Sequence, residues 1–199
     1  MRSLTTLAAF LALGVSALAE PNVPRTAKEF DFVDTNGQHS LLSSYKGKVV
    51  LLQFLLTTCP HCQAMSQMLT KLQTELGPKG FQAVGVVYNE PDPGSRITQA
   101  DMARNYSAQF HLNFPVSYAP RPTVLSFIEA SVMDRLMFPH VVVVDKTGKV
   151  RAESKIEGTA DLQSEPYLTN FIGGLLKEGA ASSSTATKKA PAVAANATK

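Results

Sequence analysis

The chain sorts into long apolar runs separated by segments rich in glycine, proline and asparagine. Residues 29–33 (EFDFV) alternate polar and apolar positions, the period of a half-buried strand, and lead to an Asn36-Gly37 turn signal. Residues 49–56 (VVLLQFLL) are almost continuously apolar, which predicts a strand buried on both faces of a sheet with parallel neighbours. Cys62, Met65, Leu69, Leu72 and Leu76 follow at helical spacing and make one apolar stripe, which Gly77-Pro78 ends. Residues 81–88 (FQAVGVVY) predict the next strand, so strand, helix and strand form a right-handed crossover unit. Residues 89–95 read as a loop, 98–110 as a helix, 114–116 as the start of a short extended piece, and 124–137 as a further helix. Residues 141–144, a turn at 145–148 and residues 149–156 predict an antiparallel hairpin, and 162–177 a closing helix. The fold class is α/β, with a central mixed sheet flanked by helices. A β extension precedes the core and an extra helical segment precedes the hairpin.

The two ends of the sequence depart from this pattern. Residues 1–19 carry Arg2, an apolar run and the small-x-small sequence Ala17-Leu18-Ala19, which predict a secretory signal peptide cleaved after Ala19. That run is short for a bilayer span, which needs about 20 apolar residues. Residues 179–199 are rich in Ala, Ser, Thr and Lys and lack aromatics, so they are expected to form a disordered tail. Residues 20–178 are then one domain. The chain holds 19 basic and 16 acidic residues. Arg2, Lys188, Lys189 and Lys199 lie in the ends, which leaves 15 basic residues against 16 acidic in the domain. The basic excess is outside the fold, and no basic face points to nucleic acid.

Export changes what the cysteines can do, because disulfides persist outside the cytoplasm. The chain has two, in the sequence TTCPHCQAM, residues 57–65. Cys59 stands between the buried strand and the helix, and Pro60 takes the first helical position, where its missing N–H is not needed. Cys59 therefore sits at the helix N-terminus, beside free backbone N–H groups and the positive end of the dipole, where a thiolate is favoured. His61 can add positive charge beside that thiolate and bias the couple towards an oxidising potential. Cys62 heads the apolar stripe and is expected to be more buried. Cys59 is the predicted nucleophile and Cys62 the resolving thiol, forming a Cys59–Cys62 disulfide when oxidised. Other readings of the pair are a structural disulfide closing a very small loop, a zinc or copper site completed by His61 or His140, and a peroxidatic Cys59.

Residues 30–62 (FDFVDTNGQHSLLSSYKGKVVLLQFLLTTCPHC) and 138–150 (FPHVVVVDKTGKV) together resemble the thioredoxin superfamily, in particular the TlpA/ResA-like, redoxin-type extracytoplasmic thiol–disulfide oxidoreductases. The resemblance implies a thioredoxin-like fold and exchange with protein thiols and disulfides. It further implies a periplasmic or otherwise extracytoplasmic location and no bound cofactor. Its reductive members suggest a membrane redox donor or apocytochrome c as partners. It also places a cis-proline at Pro139, with the Phe138 backbone binding the partner. The departures are Thr58 where thioredoxins carry tryptophan, Gln53 where they carry a buried acid, Leu56 where peroxiredoxins carry threonine, and Gln63 after the second cysteine. Proton transfer from Cys62 thus has no evident carboxylate, and Glu153 and Glu157 are only weak candidates. Met102, Met133 and Met137, with Phe110, Phe114 and Phe127, read as core packing. His39 and His111 read as surface residues and His140 as a strand histidine near the cysteines.

Overall fold

A computed structural model describes residues 21–183, with side chains to residue 178. The expected signal peptide, and the tail beyond Ser183, lie outside the described residues. The strands are β1 (Arg25–Thr26), β2 (Asp31–Val33), β3 (His39–Leu41), β4 (Val49–Leu55), β5 (Phe81–Val87), β6 (Val116–Tyr118), β7 (His140–Val144) and β8 (Lys149–Glu153). The helices are α1 (Pro60–Leu76), α2 (Gln99–Gln109), α3 (Arg121–Phe127) and α4 (Glu165–Ser183). The strands form one sheet in the order β1-β8-β7-β4-β5-β6-β2-β3. β4 runs parallel to β5 and antiparallel to β7, and β7 pairs with β8 as an antiparallel hairpin. This is the thioredoxin-like fold.

The apolar run explains the centre. All seven residues of β4 are buried, because helices cover both faces of the sheet and strands cover both of its edges. Val49, Leu51 and Leu55 meet Leu69 and Leu72 of α1, Tyr106 of α2 and Ile172 of α4 on one face. Val50, Leu52 and Phe54 meet Phe30, Phe32 and Phe127 on the other. There the rings of Phe30 and Phe127 lie 4.7 Å apart, and Phe54 stands edge-on to Phe30 at 5.6 Å. Fully burying each such ring contributes roughly 1.5–3 kcal/mol. α1 ends at Leu76 and is followed by a single tight turn. Gly80 leaves that turn with φ of 101°, a left-handed conformation that glycine adopts without strain.

Thr98 starts α2 with a reciprocal capping box to Asp101. The short β1 and β3 have no sequence pattern of their own. β3 pairs with β2 around a turn that Asp34 organises by accepting from the backbone N–H groups of Asn36 and Gln38.

One expected helix needs correction. Residues 124–137 are not a single helix: α3 stops at Phe127, and Glu129 takes φ of 55°. A left-handed residue there breaks the hydrogen-bond ladder, and the segment to Phe138 runs as turns and open chain. Core packing holds for Phe114 and Phe127, which are buried, and for Met102 and Phe110, which pack against the core. It fails for Met133 and Met137, which are 85% and 55% exposed.

Candidate active site

The β4–α1 corner presents the two cysteines differently. Cys59 caps α1 from an extended conformation (φ −81°, ψ 119°), with Pro60 next, and its carbonyl accepts the N–H of Gln63 at 3.1 Å to open the helix. Cys59 is partly exposed and Cys62 is completely buried. His61 lies exposed between them on the first turn. Burial pushes the Cys62 thiol up to about 12, helped by the adjacent Cys59 sulfur and opposed by a backbone hydrogen bond from Leu56.

The loop leading to β7 faces Cys59. The Phe138–Pro139 peptide bond is cis, and the Cys59 thiol points at the Phe138 carbonyl, 3.8 Å away. The Phe138 ring packs on Tyr88 at 4.8 Å, and the Arg121 guanidinium lies 5.6 Å from the centre of the Tyr88 ring. Cavities of about 350, 560, 160 and 340 Å³ are lined by none of Cys59, Cys62, Phe138 and Pro139. Cys59 is partly exposed beside the Phe138 backbone carbonyl.

Three features were absent from the sequence reading. Asn89 holds the loop before Cys59: its Oδ1 accepts from the Thr57 N–H at 3.0 Å and its Nδ2 donates to Thr57 Oγ1 at 3.2 Å. Gln63 donates to the Thr57 carbonyl at 3.0 Å. Behind Cys62, a buried chain links Gln53, Ser66 and Tyr106. A signal for the last was present, since Gln53 interrupts an otherwise apolar strand and a buried amide needs partners.

His140 and Glu153 are elsewhere. His140 is the register partner of Phe54 and shares its sheet face, opposite α1 and Cys62, with its ring 6.2 Å from that of Phe54. It is a buried strand histidine, but neither ring nitrogen has a hydrogen-bond partner. Its Nε2 lies 3.7 Å from Glu153 Oε1, while Glu153 Oε2 accepts from Arg25 at 2.8 Å. Glu153 is the partner of Val142 on that far face and offers Cys62 no base. A metal set joining His140 to the cysteines is therefore not assembled. Among the described residues no group of three or more His, Cys, Asp or Glu could hold a metal ion. His39 pairs with Asp31 at 2.9 Å on the surface, and His111 is exposed on the loop after α2.

A family profile described as Redoxin matches residues 22–167. The chain belongs to the redoxin family. As a redoxin it has thiol–disulfide oxidoreductases among its homologues. The thiol-disulfide oxidoreductase ResA of Bacillus thuringiensis subsp. konkukian is 27% identical over 146 residues, 73% of this chain and 76% of that protein. A shorter match, 33% identical over 85 residues and 41% of each chain, links this redoxin to the probable glutathione peroxidase 8-B of Xenopus laevis. A solved thiol:disulfide interchange protein of the thioredoxin family from Chlorobium tepidum TLS superposes with a TM-score of 0.62 at 22% identity. That superposition covers 77% of this chain and 97% of the other, and shows the shared fold.

Proposed function

We propose that this redoxin is an extracytoplasmic thiol–disulfide oxidoreductase that exchanges the Cys59–Cys62 dithiol and disulfide with protein partners. The observation that carries this reading is the pairing of a partly exposed Cys59 at a helix tip with a fully buried Cys62 one turn inside, beside the Phe138 carbonyl. The Cys59 thiolate attacks one sulfur of a partner disulfide. A mixed disulfide forms and the partner's other sulfur leaves as a thiolate. Cys62 then loses its proton and attacks Cys59, closing the Cys59–Cys62 bond and releasing the second partner thiolate. The reverse sequence oxidises a partner dithiol. Pro60 starts the helix, exposed His61 places an imidazole beside Cys59, and the backbone at Phe138 and Pro139 aligns the partner chain.

Export after cleavage behind Ala19 supplies a compartment in which the couple can cycle. The partners are protein thiols and disulfides, with a membrane redox donor and apocytochrome c as the classes the resemblance implies, and no bound cofactor is required. The thiol peroxidase alternative rests on the shorter match, whereas exchange gives Cys62 a role as well as Cys59.

The test is to incubate each single variant with a disulfide-bonded peptide and follow covalent adducts by mass spectrometry. Cys59→Ser is expected to form no adduct and to lose exchange. Cys62→Ser is expected to accumulate the mixed disulfide at Cys59. Full exchange activity in both variants would sink the proposal.

A further inference from the structure

The polar chain behind Cys62 has a direction that can be worked out atom by atom. Gln53 Nε2 donates to the Cys62 carbonyl at 2.9 Å, and the Ser66 hydroxyl donates to Gln53 Oε1 at 2.9 Å. The single Ser66 proton is thereby committed, so in the 2.9 Å contact between Ser66 and Tyr106 the phenol is the donor. Turning the Gln53 amide over would set its oxygen against the Cys62 carbonyl, acceptor facing acceptor, so the orientation is fixed. Gln53 and Ser66 are fully buried and Tyr106 is 3% exposed.

None of these groups can take a proton from Cys62. An amide nitrogen is not a base at neutral pH, and burial holds the Tyr106 phenol up at about 12. The other elements around Cys62 supply no buried base either. The cap of α1 contributes Cys59, whose sulfur is the atom to be attacked, and its first turn contributes His61, whose imidazole faces solvent rather than the interior. β4 contributes Gln53, and Leu56 just after it contributes its backbone. α2 contributes Tyr106, and Glu153 and His140 lie across the sheet.

Resting on the exchange reading above, we infer that Gln53, Ser66 and Tyr106 form a proton-blocked clamp. It positions the first turn of α1 while withholding a base from Cys62, so the resolving step draws its base from solution or from the docked partner. Mixed disulfides with partners that bring no base are then long-lived at neutral pH.

The test uses the reduced full chain and dithiobis(nitrobenzoate) in stopped flow. Cys59 thiolate attacks the reagent, one nitrothiophenolate leaves, and a mixed disulfide stays on Cys59. Hydroxide removes the Cys62 proton as water, Cys62 attacks Cys59, and the second nitrothiophenolate leaves. The second release is expected to rise about tenfold per pH unit from about pH 6 to 9. Gln53→Glu, which places a carboxyl group beside the Cys62 backbone, is expected to speed it about tenfold or more at pH values where that carboxyl is ionised, and so to flatten the profile. Tyr106→Phe is expected to keep the slope and stay within about threefold in rate, since the phenol relays nothing. A fast, pH-independent second release in the unaltered chain would overturn the inference. So would a Gln53→Glu profile that superposes on it, or a Tyr106→Phe profile that loses the slope. If Gln53→Glu does not fold, the unaltered chain and Tyr106→Phe still decide the matter. Failure of the first release would instead sink the exchange reading itself.

Discussion

Raising the pH on the reduced protein will remove stability through one thiol. Burial pushes Cys62 up to about 12 in the folded protein, whereas a cysteine in an unfolded chain titrates at about 8.5. Because the folded value is the higher one, the stability it contributes is complete below about pH 8.5 and is lost as the pH rises towards the folded value. Each pH unit in that window removes about 1.4 kcal/mol. At about pH 10 the loss is therefore about 2 kcal/mol, which lowers Tm by about 4–8 °C for a domain of this size. The chain has no tryptophan, so circular dichroism is the convenient probe of urea unfolding under reductant. The parent is compared with Cys62→Ser at each pH, which cancels the titration of lysines and of the other tyrosines. The stability of the parent relative to the serine variant should fall by the stated amount between neutral pH and about pH 10. A difference that stays flat to within about 0.5 kcal/mol would refute the argument that burial keeps Cys62 protonated.

Two further outcomes follow from buried and paired groups. Ser66→Ala leaves Gln53 Oε1 without its donor and the Tyr106 hydroxyl without its acceptor, and should lower stability by about 2–4 kcal/mol in denaturant titrations, with a smaller loss when made on a Tyr106→Phe background. Asp145 shapes the β7–β8 turn: burial works to raise its carboxyl, but hydrogen bonds from Thr147, the Lys149 backbone and Arg151 hold it below the usual range. Its contribution is therefore present above the ordinary carboxylate value and lost as the pH falls through the folded one. Asp145→Asn should be less stable at neutral pH and show a shallower loss during acid unfolding.

The parts of the fold that were legible in the sequence are those where burial is uniform or strictly periodic. The run 49–56 is short and almost uniformly apolar, which suggests a strand covered on both faces, and the spacing from Cys62 to Leu76 fits a helix with one buried side. β1 and β3 are two and three residues long, too short for a period to show, and exist only because β8 and β2 pair with them. The error over residues 124–137 has a similar cause. Met133 and Met137 continue an apolar helical spacing, yet the left-handed Glu129 ends the helix first and both methionines face solvent. At the site, Cys59 and Cys62 were legible because their spacing and flanking elements are local. The Gln53–Ser66–Tyr106 chain joins a strand to two helices, with Ser66 and Tyr106 forty residues apart. Only the fold brings those residues together, and Gln53 alone marked the place.

The sheet ends in its shortest strands. β1 at one border pairs through two residues, and β3 at the other offers three, two of them exposed. A long bare border strand would be a template for a passing extended chain, and self-association by strand addition usually begins there. Here such addition would have to nucleate on two or three residues, too few to hold register. Protein partners that approach the chain thus meet little backbone edge on which to add a strand.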